Sequence, residues 1–108
     1  MVDSPDLAPK RTGKPVEVIE LSGCLFPWDT ETDQPVLVHM VGSGAFYLPV
    51  FSTEEKLRGM MKKLGPFGKI KMIQDGREFL DSVPLDVIVI KDAWHTLTGT
   101  VRFTQVQR

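Results

Sequence analysis

Most apolar residues of the chain fall in short runs with the composition of β-strands. These runs cover residues 16–21, 35–41, 45–51, 69–73, 86–90 and 100–106. Several of them are rich in β-branched and aromatic side chains, and glycine, proline or short polar residues separate them, which is typical of strands. The continuous apolar runs at 35–41 and 86–90 predict strands that are covered on both faces.

One stretch has a clear helical spacing. Its apolar residues occur at i, i+3, i+4 and i+7, namely Leu57, Met60, Met61 and Leu64. This spacing predicts a helix with a single buried stripe. Ser52 and Glu55 form a capping box at its start, whereas Gly65 and Pro66 indicate its end.

A second, shorter helix is predicted between residues 75 and 84. Asp75 and Glu78 repeat the capping pattern, and Pro84 prevents the helix from continuing. Phe79, Leu80 and Val83 supply its buried side.

The order of these elements predicts the fold class. The Gly42-Ser43-Gly44 sequence suits the tight turn of a hairpin, whereas strands joined through helices after residue 52 require some parallel pairing. The order is β-β-β-α-β-α-β-β, with a turn-rich loop at residues 23–34. At least one of the loop's apolar side chains, Leu25, Phe26 or Trp28, should pack onto the domain. We expect an α+β fold with a single mixed sheet and two helices.

The length of 108 residues corresponds to one domain. Residues 1–15 contain three prolines, three cationic residues and few apolar ones, so they cannot bury much surface. We expect residues 1–15 to form a flexible leader and residues 16–108 to form a single domain.

Charge is unevenly distributed along the chain. The net charge is −1, but residues 1–54 carry a balance of −5 and residues 55–108 a balance of +4. Six cations and no acid lie between positions 56 and 71, namely Lys56, Arg58, Lys62, Lys63, Lys69 and Lys71. Such a stretch is typical of a solvent-facing helix side, and a site for nucleic acid is the alternative.

Several classes of protein are disfavoured by the sequence. No apolar run approaches the ~18 residues of a membrane span, and the N-terminus lacks the pattern of a secretory signal. The single cysteine, Cys24, cannot form an internal disulfide, which favours a reducing cytoplasm. With one cysteine and only His39 and His95, we expect no metal site, and no phosphate-binding loop points to a cofactor.

The best candidate for a binding site is the segment that follows the strand at 86–90. It contains Asp92, Trp94 and His95 and is expected to form a loop. The tryptophan can supply a large contact area, and the two polar groups can fix the orientation of a ligand. Alternatively, Trp94 covers the core and Asp92 caps a turn.

The phrase at residues 47–55, Tyr-Leu-Pro-Val-Phe-Ser-Thr-Glu-Glu, resembles a signature of SseB-type proteins, the enhanced-serine-sensitivity family. In that family a strand with this ending leads directly into a helix that begins with acidic residues. The similarity spans residues 35–90, and the chain differs beyond it, where Asp92-Ala93-Trp94 replaces an asparagine-proline-glycine type of turn. The resemblance implies a cytoplasmic, bacterial domain without catalytic activity.

We therefore expect a non-catalytic protein-interaction or regulatory domain that binds a protein partner or associates with itself. Two alternatives remain open. One is a small-molecule or enzymatic site around Asp92, Trp94 and His95. The other is nucleic-acid binding through residues 56–71, which the slightly negative net charge disfavours.

Overall fold

The computed structural model describes residues 2–4, 8–11, 18–40, 44–95 and 100–107. Within these ranges the chain forms an α+β fold, as predicted from the order of its elements. The strands are β1 (Val2–Ser4), β2 (Ala8–Arg11), β3 (Leu25–Asp29), β4 (Gln34–Pro35), β5 (Val38–Met40), β6 (Phe46–Val50), β7 (Lys69–Met72), β8 (Val87–His95) and β9 (Thr100–Gln105). The α-helices are α1 (Glu54–Leu64) and α2 (Gly76–Ser82).

The strands form two sheets rather than the single sheet expected. The larger sheet has the order β1-β5-β6-β8-β9-β2, and the smaller one has the order β4-β3-β7. The predicted hairpin is confirmed, since β5 pairs antiparallel with β6, and the expected mixture of directions is present, since β6 pairs parallel with β8. The smaller sheet forms because β3 pairs along its length with β7. An isolated bridge between Leu25 and Phe51, the residue after β6, connects the two sheets.

The two faces of the larger sheet carry separate hydrophobic cores. Successive residues of β8 alternate between them, because side chains of a strand point to opposite faces. Ile90 packs with the buried stripe of α1, whereas Val89 packs with Leu80 of α2. The two helices therefore cover opposite faces of the sheet, and α1 lies on the face that carries Ile90 and Ala93 of β8.

Helix α1 agrees with its predicted spacing but begins one residue later than expected. Its four buried residues are those of the predicted stripe, and Gly65 ends it with a φ of 129°. The N-cap is Thr53, whose side chain accepts a hydrogen bond from the Lys56 N–H. Ser52 does not cap the helix because its hydroxyl is hydrogen-bonded to Asp92. In α2 the predicted cap is confirmed, since Asp75 accepts from the Glu78 N–H.

Two predictions for the first third of the chain are wrong. Residues 18–21 of the predicted first strand form a 3₁₀ turn, in which Leu21 is fully buried. The predicted loop at residues 23–34 contains strand β3, a tight turn and the first residue of β4. Strand propensity depends on an available partner, and the partner β7 is supplied by a distant part of the sequence. Packing of the apolar residues is confirmed, because Phe26 is buried.

Seven residues of the predicted flexible leader at residues 1–15 lie in strands β1 and β2, and the others lie outside the described residues. The backbone of β1 pairs with β5, and the backbone of β2 pairs with β9, so both strands form edges of the larger sheet. An edge strand is held by main-chain hydrogen bonds and needs few apolar side chains. The low apolar content of this segment therefore did not exclude strands.

Candidate functional site

A β-bulge interrupts the pairing of β8 with β9 at the segment that was expected to be a loop. The registers are Lys91 with Thr104 and Trp94 with Arg102, so three residue steps in β8 match two in β9. Asp92 occupies the extra position with a left-handed φ of 53°. Aspartate tolerates this conformation better than most residues. The loop prediction is therefore wrong, because the strand continues through the bulge to His95.

The Asp92 carboxylate joins the bulge to the start of α1. One oxygen accepts a hydrogen bond of 2.8 Å from the Ser52 N–H, and the other accepts one of 3.0 Å from the Ser52 hydroxyl. Lys56 adds an ion pair, with its Nζ 3.4 Å from the carboxylate. The alternative interpretation of the sequence was that Asp92 caps a turn. In the structure its carboxylate instead binds Ser52, the residue before the N-cap of α1.

Trp94 lies directly after the bulge and is 53% exposed. Its neighbour Ala93 is buried in the core, so alternation along the strand turns the indole away from the core. Trp94 does not cover the core as the alternative interpretation suggested. It is instead a large apolar side chain held by a paired strand and facing solvent.

A groove of about 740 Å³ separates Trp94 from α1. The groove is lined by Thr53, Glu55, Lys56, Gly59, Met60, Lys63, Asp92, Ala93, Trp94 and Thr104. The structure thus brings two of the predicted site residues together with one face of the basic helix. The sequence reasoning missed Gly59 and Lys63 as parts of this site, although a glycine inside a helical pattern is a detectable signal.

His39 lies far from Asp92 along the larger sheet. His39 pairs with Phe46 in the hairpin, and Phe46 pairs with Val87 of β8. Val87 precedes Asp92 by five residues, which places His39 about 16 Å away along the strand direction at about 3.3 Å per residue. His95 ends β8 opposite Val101, and its side chain lies outside the described part of the chain.

Half of the cations at residues 56–71 have partners within the domain. Besides the pair of Lys56 with Asp92, Arg58 forms a 2.8 Å ion pair with Glu54, one turn earlier in α1. The Nζ of Lys71 lies 3.5 Å from the centre of the Trp28 ring. The remaining cations are exposed and form no ion pair with any described residue. They are Lys62, Lys63 and Lys69.

The single cysteine has the surroundings of a core residue. Cys24 is 4% exposed, and its thiol donates a weak hydrogen bond to the Glu20 carbonyl. Burial raises the pKa of the Cys24 thiol, and the nearby Lys91 opposes this rise only in part. A thiol of this kind is a poor nucleophile, because the thiolate is its reactive form.

The acidic turn between β3 and β4 is organised by its own backbone. The Asp29 carboxylate accepts hydrogen bonds from the N–H groups of Glu31 and Thr32, and the bond from Glu31 is the main reason why the pKa of Asp29 is lowered. Asp33 accepts a bond from the Trp28 indole. Among the residues described by the structure, no three histidine, cysteine or acidic side chains are grouped to hold a metal ion.

In the described ranges, no helix is both long enough and apolar enough to cross a membrane. Comparison with known proteins adds no assignment. The chain matches no protein-family model, no curated protein and no solved structure.

Proposed function

We propose that this chain is a non-catalytic protein-binding domain, and that it contacts its partner through the groove between α1 and the bulge of β8. The observation that carries the proposal is the position of Trp94, which is 53% exposed at the side of this groove. Tryptophan is over-represented among the residues that dominate binding energy, because it buries a large area.

The rigidity of the site supports this role. Trp94 is paired with Arg102 in the sheet, and the adjacent Asp92 connects the bulge to Ser52. The side chain is therefore presented by an ordered backbone on a scaffold that needs little rearrangement. Less conformational entropy is lost when a contact residue is positioned in advance.

The chemistry of Asp92 favours binding over catalysis. Both of its carboxylate oxygens accept hydrogen bonds, from the Ser52 N–H and hydroxyl, and Lys56 lies beside them. The carboxylate of Asp92 therefore connects the start of α1 to β8. The groove then offers a surface that includes Trp94 and Gly59 for contact.

The proposal includes a relation to the SseB-type family and, with it, a bacterial cytoplasmic setting. Its support is the passage from strand to helix at the resembling phrase. Strand β6 ends at Val50, and α1 begins four residues later with Glu54 and Glu55. The pair Leu25 and Phe51 then bridges the end of this strand to β3.

A random-peptide library displayed on phage tests the proposal. The full chain is immobilised, and enriched peptides are then measured against the Trp94→Ala variant by fluorescence anisotropy. We expect peptides whose affinity falls about tenfold or more in this variant, as for a residue that anchors an interface.

Leu85→Ala is the matched control, because Leu85 is 89% exposed and lies outside the groove. It should leave the affinity unchanged. Enriched peptides that bind Trp94→Ala as well as they bind the parent chain would show that the groove is not the contact surface, as would a selection that yields no enriched peptide.

A further inference from the structure

Gly59 occupies the middle of α1 without a reason in the fold. It lies within the helix Glu54–Leu64, where glycine is less stable than alanine. Apart from the adjacent residues and the backbone of its own helix, a Cβ atom at this position would meet nothing within 4 Å, so packing does not require glycine here. Its φ is not positive, so backbone conformation does not require it either. The effect of the missing side chain is therefore to leave open space in the groove that Gly59 and Trp94 both line.

The charges along the same helix face are arranged in a gradient. Lys56, Gly59 and Lys63 follow one another at i, i+3 and i+7 and all line the groove. Asp92 neutralises Lys56, and the acid Glu55 lies at the same end. The opposite end, about 12 Å along the helix at 1.5 Å per residue, carries Lys63, which has no ion pair within the described part of the chain.

From these features we infer that the occupant of the groove is a short acidic segment of a partner protein. Its backbone or a small side chain packs on Gly59, an apolar side chain contacts Trp94, and a carboxylate pairs with Lys63. This inference rests on the proposed protein-binding function and specifies the chemistry of the partner.

An acidic peptide fits this groove better than a nucleic acid does. A nucleic acid carries a phosphate at every nucleotide, so its backbone would also meet Glu55 and Asp92 at the other end. A peptide can place a carboxylate at one end and apolar side chains along the rest. The charge gradient and the indole then face complementary groups.

Peptide arrays probed with the full chain test this inference. Matched sets share an apolar centre and differ in their flanks, which are acidic, amide-bearing or basic. We expect the acidic set to bind about tenfold more tightly than the amide set. Lys63→Glu should reverse the order of the acidic and basic sets, whereas Glu55→Gln should leave it unchanged.

Gly59→Ala separates a binding role from a structural one. We expect this variant to melt at a higher temperature than the parent, because alanine stabilises the helix, and yet to bind the acidic peptides about tenfold more weakly. Arg58→Ala is the control on the same helix, because Arg58 does not line the groove. It should leave peptide binding unchanged.

Equal binding of the acidic, amide and basic sets would overturn the inference, and so would full binding by Gly59→Ala. Displacement of the peptides by a single-stranded oligonucleotide would replace the acidic peptide with a nucleic acid. If a basic or amide set binds best and Trp94→Ala abolishes that binding, the acidic occupant is rejected but the groove is still the binding surface. If Trp94→Ala leaves peptide binding intact, the groove itself is rejected.

Discussion

The Ser52 N–H donates a 2.8 Å hydrogen bond to the carboxylate of Asp92, forty residues further along the chain. This bond joins the start of α1 to the bulge of β8, and both elements border the groove. It fixes the width of the groove at the end where Asp92 lies. The strained backbone of Asp92 is therefore coupled directly to the geometry of the candidate site.

Substitution of Asp92 should destabilise the fold. Asp92→Ala loses the bonds to Ser52 and places alanine, which tolerates left-handed backbone less well than aspartate, at a φ of 53°. We expect a cost of about 1–3 kcal/mol in the free energy of unfolding. Asp92→Gly should cost less. It also loses the hydrogen bonds, but glycine adopts a positive φ without steric strain. Urea denaturation measures both.

The ion pair with Lys56 should contribute little by comparison. The Lys56 side chain is 56% exposed, and exposed pairs are typically worth less than about 1 kcal/mol. Lys56→Met is therefore expected to unfold within about 0.5 kcal/mol of the parent chain. A loss as large as that of Asp92→Ala would assign the stability to the charge pair instead of the bond to Ser52.

Local sequence patterns predicted the helices well. The spacing of Leu57, Met60, Met61 and Leu64 identified the buried stripe of α1, and Asp75 was identified as the cap of α2. Both depend on residues within one or two turns of each other. The cap of α1 moved to Thr53 because a residue distant in sequence, Asp92, binds Ser52.

The sheets could be predicted only in part, for the same reason. A strand is completed by a partner, and the partners of β3 and β2 come from distant segments. The bulge at Asp92 is similarly set by the register with β9, which no local pattern specifies. Asp92 and Trp94 could be predicted from their side-chain types and their position after a predicted strand, whereas the groove that joins them to Gly59 required the tertiary structure.

A Cβ atom at Gly68 should be poorly tolerated. It would lie 2.8 Å from the backbone nitrogen of Thr30, and Gly68 itself donates a 2.9 Å hydrogen bond to the Trp28 carbonyl. Gly68→Ala is therefore expected to cost about 1–3 kcal/mol in the free energy of unfolding. Gly59→Ala provides the contrast, since its site is open and the substitution should stabilise the chain by about 0.5–1 kcal/mol.

Chemical denaturation of these two variants measures the difference. If Gly68→Ala is as stable as the parent chain, the turn at Thr30 can shift away from β7 without a penalty. That result would contradict the close packing of the two segments.

The buried thiol should make stability fall at alkaline pH. The pKa of Cys24 is raised in the folded chain by burial, so the unfolded chain ionises first, near its ordinary pKa of about 8.5. Above this pH the unfolded state binds fewer protons than the folded state, and the free energy of unfolding decreases as the pH rises. Below it the contribution is fully present.

Urea denaturation between about pH 7 and pH 10 measures this dependence. Cys24→Ala lacks the thiol and should show a shallower decline over the same range. In the native parent chain, modification by a thiol reagent should also be slow until urea is added. Equal pH profiles for the two chains would show that the thiol is as ionisable in the folded chain as in the unfolded one.

The exposure of Trp94 can be measured directly, because the chain contains only one other tryptophan. Trp94 is 53% exposed, whereas Trp28 is partly buried, with its ring against Phe26 and the Lys71 Nζ over its face. In the Trp28→Phe variant, emission from Trp94 should be red-shifted and strongly quenched by acrylamide. In Trp94→Phe, emission from Trp28 should be less accessible to the same quencher. If Trp94 is instead the better protected of the two, its indole lies against α1 in solution, the groove is closed, and a partner has no exposed anchor to contact.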